Sequence, residues 1–147
     1  MDVETSLPAA PSRPAPAVLD AVRDMARERP VAVTVRGTCM APLLADGDRV
    51  EVAPARVYWP GDLLAFQAAD GRLLVHRLLG YRPYAGRIAC VTRGDDCPHP
   101  DAPVPLDRLL GRVTAVEGRA RGLVPPGARV RAVLAWLGLA ARRLRRL

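Results

Sequence analysis

The sequence predicts a mainly antiparallel β domain with a short helix at either end. Three observations predict it. Short apolar segments alternate with polar residues at a period of two, turn pairs such as Asp46-Gly47, Pro60-Gly61 and Asp70-Gly71 fall between them, and helical periodicity is confined to the two ends. The 147 residues suffice for one core of ordinary size. Half of them are apolar but only 4% are aromatic, so that core must be built from Val, Leu and Ala.

Residues 1–17 hold four prolines and no periodicity, which reads as a flexible tail. Val18, Leu19, Val22, Met25 and Ala26 recur at helical spacing until Pro30, so an amphipathic helix is expected over 18–30. Val31, Val33 and Val35 then open the β domain, expected over 31–124. Further strands are expected at 49–53, 62–67, 72–81, 86–93 and 109–117, with Asp70-Gly71 as a hairpin turn. Four prolines from Pro98 to Pro105 rule out a central strand there. Residues 125–147 should form a basic amphipathic helix carrying Val130, Val133, Leu134, Leu137, Ala141 and Leu144 along one side. That stripe reads either as a face docked on the β domain or as an interfacial anchor, with Trp136 at headgroup depth and arginines on phosphates. A hairpin from another protein is the third partner it could take.

Composition narrows the chemistry. All 22 basic residues are arginine, which excludes a lysine base, a Schiff base and a P-loop lysine. The net charge of +7, with four arginines among the last six residues, favours an anionic surface. No nucleic-acid motif accompanies the charge, so a membrane surface ranks above nucleic acid. Three cysteines are too few for a disulfide framework. Asp2 and Glu4 speak against a signal peptide, and the uncharged apolar run at 132–141 is about half a membrane span. A cytoplasmic protein is expected, free or peripheral on the inner membrane face.

Three segments pair a chemically capable group with turn residues. Gly37-Thr38-Cys39-Met40-Ala41-Pro42 offers a thiol in a loop, where the backbone N–H groups of Thr38, Cys39 and Met40 are candidates for binding an oxyanion. Val75-His76-Arg77 places an imidazole within a strand, and Gly94-Asp95-Asp96 with Asp101 supplies carboxylates. A thiol, an imidazole and a carboxylate make a nucleophile, a base and an orienting group.

These segments together resemble the signal peptidase I family, and its archaeal and endoplasmic-reticulum-type branch most. Gly37, Met40 and Pro42 match its Gly-x-Ser-Met-x-Pro box, and Gly47-Asp48 the Gly-Asp that follows. Gly61-Asp62 matches the next box, and His76-Arg77 the His-Arg found where common bacterial enzymes carry lysine. Thr92, Gly94, Asp95 and Asp101 match the last box, before Gly111-Arg112-Val113. The likeness spans about residues 31 to 123. In this chain Cys39 replaces the family's nucleophilic serine, Asp96-Cys97 replaces Asn-Asn, and the N-terminal membrane span of most relatives is not seen.

The resemblance implies the all-β signal peptidase fold, related to the self-cleaving domain of LexA-type repressors. It implies an endopeptidase in which Cys39 attacks, His76 is the base, and Asp95 or Asp101 fixes the imidazole. The implied substrate is an extended leader or signal-type peptide, added edge-on to a strand, with small residues beside the scissile bond. No cofactor is expected. A catalytically degenerate peptide-binding relative and a basic membrane-associated adaptor are the alternatives. Arg77 is expected to be a structural ion-pair partner, and Met40 to pack beneath the nucleophile loop. Cys97, expected beside the site, could form a reversible disulfide with Cys39. Cys90, Cys97 and His99, with Cys39 as fourth ligand, suggest zinc, but the gap between Cys90 and Cys97 does not fit the close cysteine pairs of structural sites. No metal is therefore expected.

Overall fold

Alternation along the chain becomes alternation in burial. In strand β1 (Val31–Thr34) and strand β2 (Arg49–Ala53), Val31, Val33, Val50 and Val52 are buried while Ala32, Thr34, Arg49 and Glu51 face outward. The pairs Val31–Val52 and Val33–Val50 stand opposite each other in an antiparallel ladder. The computed structural model describes residues 16–117 and 123–146. The remaining strands are β3 (Leu63–Gln67), β4 (Leu73–Tyr84), β5 (Arg87–Arg93), β6 (Val104–Pro105) and β7 (Leu109–Val116). All pairings are antiparallel, in the order β1-β2-β7-β3-β4-β5-β6 within one curled sheet. Helix α1 (Pro16–Glu28) precedes the sheet and helix α2 (Ala128–Leu144) follows it.

Strand β3 is buried on both faces, because the curl of the sheet brings it between two clusters. Leu63 and Ala65 join a Val-rich core that also holds Val50, Val52 and Val113, capped by Ala26 of α1. Leu64 and Phe66 face the other way, against Leu78 and Cys90. Burying each Leu or Phe contributes about 1.5–3 kcal/mol. Strand β4, paired with β3, inherits this two-sided environment, and that places His76 opposite Leu64 and its neighbour Arg77 opposite Leu63.

Strand β6 was not expected. It is two residues long, pairs Val104 with Cys90 and Pro105 with Ala89, and lies at the edge, where proline's missing N–H does no harm. The expected N-terminal tail falls almost wholly outside the described residues, as do 118–122 near the end of the expected β domain. In α1 only part of the expected face is inside: Leu19 and Ala26 are buried and Val22 is half-buried, while Val18 and Met25 remain exposed.

The C-terminal helix departs most from expectation. Its docked face is not the Leu and Val stripe but the opposite side, where Ala128 and Ala132 are buried and Ala135, Trp136 and Leu139 pack toward Leu79 and Val91. Trp136 is therefore a docking residue, not a headgroup residue. Its Nε1–H donates to the Tyr81 carbonyl at 2.9 Å, and its ring occupies the space left by Gly80, where a Cβ would come within 2.6 Å of it. Arg129 fixes the start of the helix, bonding the Pro60 carbonyl and pairing with the buried Asp62 at 3.1 Å each. Val130, Val133, Leu134, Leu137 and Leu144 face away from the sheet and are exposed. No helix among the described residues is long and apolar enough to cross a membrane.

Candidate active site

The loop that follows β1 is built to hold a thiol outward. Met40 and Leu44 plug into the Val-rich core at 2% and 0% exposure, and a Leu44 N–H to Met40 carbonyl bond of 2.9 Å turns the chain between them. Asp46 accepts from the Gly37 N–H at 2.8 Å, closing the base of the loop. Gly37 adopts φ +84°, which a residue with a Cβ resists. With Met40 pinned inward, Cys39 is left exposed. No described residue accepts from the N–H groups of Thr38, Cys39 or Met40, so these donors are free to meet an oxyanion.

His76 is 4% exposed on β4, with its ring edge-on to Phe66 at 6.0 Å between centroids. Its Nδ1 lies 2.6 Å from Asp101 Oδ2. The same oxygen accepts from the Thr92 hydroxyl at 2.7 Å, and the Asp101 N–H donates to the Thr92 carbonyl at 2.8 Å. The carboxylate is thus held from two directions, and with Nδ1 engaged, Nε2 is the ring nitrogen left to act.

Of the two aspartates left open by the sequence, geometry selects Asp101. Asp95 instead takes a two-pronged bond from Arg77, Nε to Oδ1 and a terminal nitrogen to Oδ2 at 2.7 Å each, while the other terminal nitrogen reaches the Gly61 carbonyl. Asp95 is therefore a partner of the buried Arg77 and not of the histidine, as alternation on β4 requires: neighbours in a strand point to opposite faces.

Two loops close on each other at this point. The Asp96 N–H donates to the Cys39 carbonyl at 2.8 Å, and the Asp95 N–H to Met40 Sδ at 3.3 Å. Gly94 permits the approach, since a Cβ there would come within 2.7 Å of both the Cys39 carbonyl oxygen and Cys97 Sγ. The outcome is a cluster in which the sulfurs of Cys39 and Cys97 and a ring nitrogen of His76 all lie within 4.8 Å of one another. Burial first, and then the neighbouring Cys39 thiol, push the Cys97 thiol above its ordinary value, with Asp101 and Asp96 adding to the shift.

No protein-family model matches the chain, and no curated protein matches it either.

The other residues weighed for zinc stand apart from this cluster. Cys90 is buried between β4 and β6 against Leu64 and Phe66, where burial pushes its thiol up to about 12, and His99 is exposed. Two supporting residues escaped the sequence reading. Thr92, read there only as a motif match, anchors Asp101. Asp62, 1% exposed, accepts from the Trp59 N–H at 2.9 Å and pairs with Arg112 and Arg129, joining the β3 turn to β7 and α2. Its place in a Gly-Asp pair was the one available signal. A groove of about 540 Å³ between α2 and the 100–103 segment, lined by Trp136, Leu139 and Val91, touches the site only at Asp101.

Proposed function

We propose that this chain is a signal-peptidase-like endopeptidase working by a Cys39–His76–Asp101 mechanism. One observation carries the reading: three segments distant in sequence bring a thiol, an imidazole and a carboxylate together, with the carboxylate on Nδ1 of the ring. Asp101 accepts from Nδ1–H, so Nε2 is free to take the Cys39 proton. The thiolate attacks the peptide carbonyl, forming a C–S bond, and the free N–H groups of the Cys39 turn meet the oxyanion. Collapse breaks the C–N bond, the imidazolium gives its proton to the leaving amine, and water activated by His76 hydrolyses the thioester. No hydrogen bond joins Cys39 to His76 in the free protein; such contacts commonly tighten only when substrate arrives.

The same reading gives the enzyme an extended leader-type peptide as substrate and an anionic membrane surface as its workplace, on the cytoplasmic side. The outward stripe of α2, ending in Arg142, Arg143, Arg145 and Arg146, supports the second point.

The test is cleavage of a library of extended peptides with small residues at the centre. Cys39→Ala should abolish cleavage, and His76→Ala should lower kcat by roughly 10³–10⁴-fold. Cleavage that survives Cys39→Ala rules the mechanism out.

A further inference from the structure

Peptide hydrolysis by a thiol and an imidazole has no use for a second thiol. Yet Cys97 stands within the same 4.8 Å cluster as Cys39 and His76. Two sulfurs and an imidazole nitrogen form a soft donor set that suits zinc and disfavours magnesium or calcium. Tetrahedral zinc, with Zn–S near 2.3 Å and Zn–N near 2.0–2.1 Å, needs ligand–ligand edges of about 3.4–3.8 Å. The longest separation would close by about 1 Å, a movement that the exposed Cys39 side chain can supply.

Support behind the cluster is already in place. Histidine ligands of zinc typically engage a carboxylate through their second nitrogen, which fixes the ring and raises its basicity. Asp101 does this for His76 at 2.6 Å, and is itself held by Thr92. The loop carrying Cys97 is tied to the loop carrying Cys39 by the Asp96–Cys39 backbone bond, and Gly94 leaves room for the Cys97 sulfur and the Cys39 carbonyl, each 2.7 Å from where a Cβ would stand.

We propose that Cys39, His76 and Cys97 form a binding site for one Zn²⁺ ion, with a fourth position open to water, and that the bound ion masks the Cys39 nucleophile. On binding, each of the two thiols gives its proton to solvent and forms a Zn–S bond, and neutral His76 forms a Zn–N bond. Nothing is oxidised or reduced. That zinc silences an enzyme rests on the peptidase reading; that zinc binds does not. The ligands are not the set that spacing in the sequence suggested, since Cys90 and His99 take no part.

The test uses the full chain, metal-free and kept reduced, titrated with Zn²⁺ against a chromophoric chelator and with Co²⁺ read by thiolate-to-cobalt absorption. One equivalent should bind. Cys97→Ser and His76→Ala should each weaken binding at least tenfold, and Asp101→Asn by about 10- to 100-fold. Cys90→Ala and His99→Ala should bind as the parent does. Circular dichroism establishes that each variant is folded. Undiminished binding in Cys97→Ser, or equal loss in Cys90→Ala, overturns the site. A second measurement follows alkylation of Cys39: Zn²⁺ should slow it at least tenfold, and a chelator should restore it. If the chain binds no zinc while Cys39 still cleaves peptides, the inference fails and the peptidase reading stands. If zinc binds at these residues while Cys39→Ala leaves cleavage intact, the peptidase reading fails and the site stands.

Discussion

Asp95 and Asp101 are equivalent on paper, and neighbouring residues on β4 separate them. His76 faces the Phe66 side of the strand and takes Asp101; Arg77 faces the other side and takes Asp95. Substituting each aspartate should therefore fail in a different way. Asp101→Asn should keep the fold and lower kcat by roughly 10²–10⁴-fold, because the imidazole loses its orienting charge. Asp95→Asn leaves the guanidinium of the buried Arg77 without its charged partner, which should cost about 1.5–3 kcal/mol of stability. Chemical denaturation of both variants beside their turnover checks the split, and a stability loss confined to Asp101→Asn would refute it. Cys90 makes a second prediction at this scale. Burial raises its thiol from 9.0 to about 12, so above about pH 9 the unfolded chain sheds a proton that the folded chain keeps. Stability should then fall with rising pH, by roughly 1.4 kcal/mol per unit between about pH 9 and 12. Tyr81, opposite Cys90 in the ladder and itself raised to about 12 mainly by burial, adds in the same direction. Denaturation at stepped pH should show a shallower alkaline slope for Cys90→Ala; an unchanged slope contradicts the assignment.

At the scale of elements, the strands were legible because their periodicity is a local property. Valines at alternate positions of β1 and β2 need only one buried face to declare themselves, and turn pairs marked where the ladders end. The short β6 was not legible, since two residues carry no period and the proline there argues against any strand but an edge. Helix α2 misled for a different reason. A stripe of Val and Leu is the stronger sequence signal, yet the helix docks by the smaller residues Ala128 and Ala132, which lie closer to the sheet and let Trp136 drop onto Gly80. Burial on one side leaves the larger side chains Val130, Leu134 and Leu137 exposed together, beside arginines at both ends of the helix. Such a face should bind vesicles containing anionic lipid and ignore neutral ones. Leu134→Glu with Leu137→Glu should abolish flotation without unfolding the chain. Replacing Arg142, Arg143, Arg145 and Arg146 by Gln should weaken it roughly a thousandfold, at about 1 kcal/mol each. Binding that ignores lipid charge and survives the double glutamate change would leave α2 without a membrane role.

Over the whole molecule, the site is a product of sheet order and not of any one segment. Cys39 follows β1 at one edge, His76 lies on β4 near the middle, and Asp101 precedes β6 at the other edge; the curl of the sheet brings them together. The sequence could name these residues through motif order and could expect Cys97 beside Cys39, but it could not choose between the carboxylates, because that depends on which face of β4 each aspartate meets. Sheet order also bears on how substrate would lie. Strand β1 is an edge strand, and the chain passes from it into the turn of Cys39 within five residues, Val35 to Cys39. A peptide laid along that edge would pair with β1 as one more antiparallel or parallel strand, with every second N–H turned toward β1 and the others toward solvent. Cleavage should accordingly respond to backbone N-methylation with a period of two. Methyl groups at alternate positions on one side of the scissile bond should each weaken KM by about tenfold, the worth of roughly one or two backbone hydrogen bonds. Methyl groups at the intervening positions should leave it nearly unchanged. A series of singly N-methylated peptides measures this directly. Uniform sensitivity at every position, or none, would mean that substrate reaches Cys39 by some route other than the β1 edge.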